Sequence, residues 1–159
     1  MEINELSEKN RILKKLTNFL HINVYYDLHE LSSDKFMEKY GYWGDSFNNH
    51  SELRFYNETN AISQLKKLLL PGVQYYFFPI DGKRTIHKIK PDELDAYYGD
   101  NHLKSHFIIA DNKLTWLIIK NDFNKLIGMG DFIKKRMGKM ISLKFDGAKL
   151  MYSLTSKKK

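Results

Sequence analysis

The chain of 159 residues contains no cysteine. Disulfides, thiolate metal ligands and thiol nucleophiles are thereby excluded together. Proline is scarce at three residues, and arginine supplies only four of the 26 basic side chains, Arg11, Arg54, Arg84 and Arg136. Lysine is a compact, hydrated point charge, whereas arginine offers a planar fork that reads bases and phosphates bidentately. A basic surface made of lysine therefore suits general attraction to acidic groups better than sequence-specific recognition. No apolar run approaches the roughly 20 residues that would span a bilayer. Met1–Lys15 is mixed in charge and lacks the apolar core of a secretory signal. The expectation is a soluble, cytoplasmic protein with no membrane partner.

What is present is a core and a lopsided charge. Hydrophobic residues make up 42% and aromatics 14% of the chain, enough to argue against disorder. At this length one domain is expected, burying about 70% of the surface its unfolded chain exposes. Residues 132–159 carry nine of the 26 basic groups and one of the 19 acidic ones, so the net +7 of the chain resides there. One electropositive surface, with an acidic partner to match, is the natural reading. The same lysines also suit a solvated face that only keeps the protein in solution.

Periodicity along the chain predicts the elements. Residues 2–20 carry Ile3, Leu6, Leu13, Leu16 and Leu20 at helical spacing. Val24–Leu28 is a short β-prone run, and Ser33-Asp34 opens a helix through Tyr40. Residues 41–57 are rich in Gly, Asn and aromatics and read as an ordered loop with a brief strand at Leu53–Tyr56. A helix with Ile62, Leu65, Leu68 and Leu69 on one face stops at Pro71-Gly72. Val73–Phe78 and Lys83–Ile89 flank Asp81-Gly82 as a hairpin, and Pro91 opens a further helix closed by Gly99.

The clearest β signal is a meander over 105–128: Ser105–Ala110, Leu114–Lys120 and Lys125–Gly128. Ile108-Ile109 and Ile118-Ile119 place apolar groups on both faces, which calls for helices over the sheet. Asp131 starts a helix through Met137. Ile141–Phe145 and Lys149–Leu154 around Asp146-Gly147 suggest a last hairpin, with a helix over Ala148–Leu154 as the alternative. The fold class is α+β: a single domain over 1–156, four or five helices packed on a largely antiparallel sheet, then a disordered basic tail at 157–159.

Candidate chemistry is thin. Gly44-Asp45-Ser46-Phe47 resembles the Gly-Asp-Ser-Leu block around the nucleophile of one esterase family. That resemblance implies a Ser46 nucleophile, for which His50 is the near base. The family also carries an Asp-x-x-His near its carboxyl end and a parallel sheet, and here no His follows His106. His102 and His106 are four apart, but they lead into a strand, where that spacing is about 13 Å. Asp27-x-His29 offers two same-face ligands if the run is a strand, without a third. Gly128-x-Gly130-Asp131 reads as a tight strand-to-helix turn, since it lacks the glycine and lysine of phosphate loops. Tyr75-Tyr76-Phe77-Phe78 reads as a strand buried on both faces in preference to a stacking platform for single-stranded nucleic acid. No catalytic residue, metal site or cofactor is expected.

Thr115-Trp116-Leu117-Ile118-Ile119-Lys120-Asn121-Asp122-Phe123-Asn124-Lys125-Leu126-Ile127-Gly128-Met129-Gly130 resembles a pattern in small bacterial proteins of the polymorphic-toxin immunity type: a Trp-bearing strand, a polar turn and an aliphatic-Gly-x-Gly exit. Asp122-Phe123 stands where paired histidines are common, and the pattern carries no catalytic residue. The resemblance implies a non-enzymatic protein that neutralises a toxin by masking it. Because immunity partners of nucleases tend to be acidic, the basic charge disfavours a nuclease target. The expected binding residues are Lys134, Lys135, Arg136 and Lys139, with Tyr42, Trp43 and Phe47 as aromatic anchors. The alternative is non-specific nucleic-acid binding through the Lys-rich carboxyl end.

Overall fold

The computed structural model describes residues 1–40, 50–54, 58–99, 106–121, 124–141 and 151–155. Among the described residues seven strands form one sheet: β1 (His50–Arg54), β2 (Tyr75–Pro79), β3 (His87–Ile89), β4 (Phe107–Asp111), β5 (Leu117–Lys120), β6 (Lys125–Met129) and β7 (Met151–Thr155). Their order is β3-β2-β4-β5-β6-β1-β7, and every neighbouring pair is antiparallel. Six α-helices accompany it among the described residues: α1 (Leu6–Leu16), α2 (Ile22–Glu30), α3 (Ser33–Tyr40), α4 (Glu58–Leu68), α5 (Leu94–Gly99) and α6 (Asp131–Ile141). The domain is α+β, and the meander β4-β5-β6 forms its centre.

Alternation along the strands sorts the core into two halves. Tyr76, Phe78, Ile108, Leu117, Ile119 and Ile127 pack with Ile12, Leu16, Leu28 and Phe36 of α1–α3. Tyr75, Phe77, Ile109, Ile118 and Leu126 face the other way, onto Leu65, Leu94, Ile133 and Met137 of α4–α6. The sheet is the middle of three layers, which is why its central strands are apolar on both faces. β2 is buried along its whole length, so its four aromatic rings are core and offer no base-stacking surface.

Several elements differ from their sequence patterns for identifiable reasons. Helix α1 begins at Leu6, and Leu6 is exposed. Ile3 instead follows an antiparallel bridge between Glu2 and His87, its amide donating to Ile86 O at 2.8 Å, so the segment covers the edge of β3. The β-prone run at Val24–Leu28 is helical: Val24, Tyr25 and Leu28 share one buried face of α2, and His21 Nδ1 caps it by accepting from the Asn23 amide at 3.2 Å. Tertiary burial overrides the propensity of its β-branched and aromatic residues. This helix is the one beyond the expected four or five.

The strand after Asp81-Gly82 is only His87–Ile89, because the connection from β2 is long and bends through Gly82 (φ 81°) and Arg84 (φ 56°). Pro79 is tolerated in β2 since β3 has ended opposite Phe77, leaving no partner for an amide there. β5 starts at Leu117 and not Leu114, because the Asp111 carboxylate accepts from the Thr115 amide (2.6 Å), the Trp116 amide (3.0 Å) and Thr115 Oγ1 (2.8 Å). Ile141 is the last residue of α6, not part of a terminal hairpin, and β7 pairs with β1. The 157–159 tail lies outside the described residues.

Candidate functional site

The basic helix is set on the sheet by two glycines. A Cβ at Gly128 would lie 2.2 Å from Met137 Sδ, so its absence lets α6 close onto β6. Gly130 turns the chain at φ +99°, where a Cβ would meet Thr115 O at 2.5 Å and Trp116 Cβ at 2.6 Å. The Gly130 carbonyl then accepts from the Lys134 amide at 3.1 Å, starting the helix, with Asp131 in its electropositive first turn. The glycine pair is thus a strand-to-helix turn, as its sequence suggests.

Ile133, Met137 and Met140 anchor α6 in the core. The other side presents Phe132, Lys135 and Lys139 to solvent, with Lys134 and Arg136 half-buried. Phe132 is 48% exposed, high for a phenylalanine. Its ring stacks on Trp116, centroids 6.0 Å apart, and Trp116 in turn meets Tyr75 at 5.6 Å. The Arg136 guanidinium lies 5.7 Å from the centre of the Phe132 ring and donates to Lys67 O at 3.1 Å, at the carboxyl end of α4. Arg136 is therefore committed to the fold as well as to the surface. Tyr75 Oη accepts from the Leu70 amide at 2.8 Å, holding the loop that exposes Leu70 and Val73. The result is an aromatic and aliphatic surface beside a row of cations.

Of the sequence-predicted binding residues, Lys134, Lys135, Arg136 and Lys139 share this helix. Tyr42, Trp43 and Phe47 lie outside the described residues, as do Ser46 and His102. Nothing in the sequence marks Phe132, Leu70 or Val73 as surface residues, because each reads as core in its helical or strand pattern.

Asp27 and His29 are not a same-face pair, since α2 turns them to different sides. Asp27 accepts from Lys39 at 2.6 Å and from the Tyr40 hydroxyl, contacts that hold its carboxyl below the usual carboxylate range. His29 packs edge-on against Tyr25 with centroids 4.8 Å apart, and neither its ring nitrogens nor Tyr25 Oη has a hydrogen-bond partner. Burial lowers the His29 pKa to about 4. Among the described residues, no three His, Cys, Asp or Glu side chains are grouped to hold a metal. No described helix is long and apolar enough to cross a membrane.

A buried charge cluster is new to the structure. On β1, Glu52 lies between His50 Nε2 at 3.2 Å and Lys125 Nζ at 3.1 Å. The hydrogen bond from His50, then that from Lys125, holds the Glu52 carboxyl below its usual range against the opposing effect of burial. A His–carboxylate pair orients an imidazole for proton transfer in many sites, but His50 is only 5% exposed and Ser51 points to the opposite face of the sheet. The signal available in sequence was the His50-x-Glu52 alternation. Lys125 joins it only through the β1–β6 register. No known family, curated protein or solved structure matches the chain.

Proposed function

We propose that the chain is a non-enzymatic protein-binding domain of the immunity type, which neutralises an acidic toxin by masking it with the exposed face of α6. The observation that carries this reading is Phe132: a half-exposed ring backed by Trp116 and Arg136, on a helix whose outer positions are lysine. Rigid aromatic anchors beside complementary charge are the usual material of tight protein interfaces. Leu70 and Val73 extend the apolar part. Cysteine-free composition and the turn pattern over 115–130 are in keeping with it.

The test is a tagged pull-down from the native host, treated with nuclease and washed at two salt concentrations. A stoichiometric polypeptide that survives both washes, and is lost with Phe132→Ala, is the expected result. Recovery of nucleic acid alone, lost on nuclease treatment, would overturn it in favour of non-specific nucleic-acid binding. With the partner in hand, reversing Lys135 and Lys139 to Glu slows association and flattens its salt dependence. Arg136 is left in place because it also binds α4.

A further inference from the structure

A second surface lies on the α1 side of the sheet. Glu8 and Arg11 of α1, Gln74–Tyr76 at the start of β2, Lys88 of β3, and Asn112 and Lys113 of the β4–β5 turn enclose a cleft of about 430 Å³. That is within the roughly 300–1,000 Å³ usual for small-molecule sites. Three cations from three different elements converge on it, and one carboxylate opposes them. Glu8 Oε1 accepts from Lys88 Nζ at 2.9 Å and lies 3.8 Å from Arg11 Nη2. Lys88 is further placed by the Tyr76 ring, 5.9 Å below its ammonium. Lys15 reaches across to the Lys113 carbonyl at 3.5 Å, joining α1 to the turn.

Glu8 shows what these cations bind: a carboxylate oxygen sits between two of them. It balances one charge of three, and the cleft keeps a net +2. A phosphate monoester carries about −1.5 to −2 near neutral pH and offers three acceptor oxygens. A single carboxylate would leave half of the surplus unbalanced. The amides of Gln74 and Asn112, both exposed at the cleft, add donors for oxygens that the cations do not reach.

We propose that this cleft binds a phosphate-bearing small molecule, with Arg11 and Lys113 on the phosphate and Lys88 shared between it and Glu8. The cleft and the α6 surface use different charged side chains, although Tyr75 lines the first and backs Trp116 in the second. Glu8 is then an internal competitor: it holds Lys88 when the cleft is empty and repels the ligand when it is not.

The test is titration of the isotopically labelled full chain with inorganic phosphate, followed by backbone amide shifts. Saturable shifts are expected at Gln74, Lys88, Asn112 and Lys113. Arg11→Gln and Lys113→Gln, both at exposed positions, should each weaken binding about tenfold, the worth of one charged hydrogen bond. Glu8→Gln should tighten it, because it removes the competitor and the repulsion together. The control Lys35→Gln, at an exposed position of α3 that does not line the cleft, leaves the affinity unchanged. Shifts that never saturate, equal shifts along α6, or a Glu8→Gln variant that binds no better would each overturn the site. The amide spectrum of every variant reports its folding in the same experiment.

Discussion

Trp116 and Phe132 stack with centroids 6.0 Å apart and planes 25° from parallel, yet one is 5% exposed and the other 48%. The pair joins the core to the surface. Trp116 is held from beneath by Tyr75 and at its backbone by Asp111. It therefore gives Phe132 a rigid backing, so that an exposed ring loses little freedom on binding.

This asymmetry separates stability from binding. Trp116→Ala should cost about 3–5 kcal/mol in stability, the range for removing a buried large aromatic. Phe132→Ala should cost about 1 kcal/mol, the worth of an aromatic pair, while removing most of the affinity for the partner. Urea denaturation of both variants, beside binding measurements on Phe132→Ala, checks this. Equal stability losses would mean that Phe132 is a core residue with no surface role.

The two glycines before α6 should fail differently. Gly130→Ala adds left-handed strain, about 1–2 kcal/mol, to a backbone clash with Thr115 O that cannot move aside. Gly128→Ala meets side-chain atoms alone, Met137 Sδ at 2.2 Å and Ile133 Cγ2 at 3.2 Å, and should cost about 1–3 kcal/mol. Shortening Met137 to Ala should rescue part of the second loss and none of the first. Denaturation midpoints of the single and double variants decide it.

How far the fold was legible follows the same division between local and distant causes. The meander is readable because Ile108, Ile118 and their neighbours are strand formers between short polar turns, and Gly128 and Gly130 mark the exit to α6. The run from Val24 to Leu28 misleads because its side chains favour strands when considered alone. Only packing against the sheet face of Phe78 selects the helix. The Glu52 cluster needs two residues 73 positions apart, which periodicity cannot bring together. Phe132 was hidden for the opposite reason: helical spacing marks it as apolar, and the pattern does not say that the face it occupies is left open.

Breaking the Glu52 cluster from either side should be unequal. Glu52→Ala leaves His50 and Lys125 beside each other without the carboxylate and should cost about 3–5 kcal/mol, as for a buried pair broken at one partner. Lys125→Met keeps the His50–Glu52 contact and should cost less, since the Lys125 side chain is 14% exposed and its apolar stem is retained. A double-mutant cycle measures the coupling. A cost for Lys125→Met equal to that for Glu52→Ala would show that the ammonium, not the imidazole, is what Glu52 needs.

Acid should weaken the fold in two steps. His29 is held neutral by burial, with a pKa of about 4 against 6.5 for the free side chain. Below pH 6.5 the unfolded chain takes up a proton that the folded chain refuses, so stability rises with pH through this window and falls as pH drops from 6.5 towards 4. The full shift corresponds to about 3 kcal/mol, reduced because the ring is only half-buried and solvent screens part of the effect. Glu52 acts at lower pH: its folded pKa is depressed, so its contribution is present above the ordinary carboxylate range and is lost as pH falls through the folded value. His29→Phe keeps an edge-on ring against Tyr25 and removes the titration. Urea midpoints should therefore fall between pH 7 and pH 4.5 in the parent chain and fall less in the variant, which keeps His87, also held below the usual histidine range by burial. If both decline in parallel, the acid sensitivity belongs to other groups, and the orphaned nitrogens of His29 do not set it.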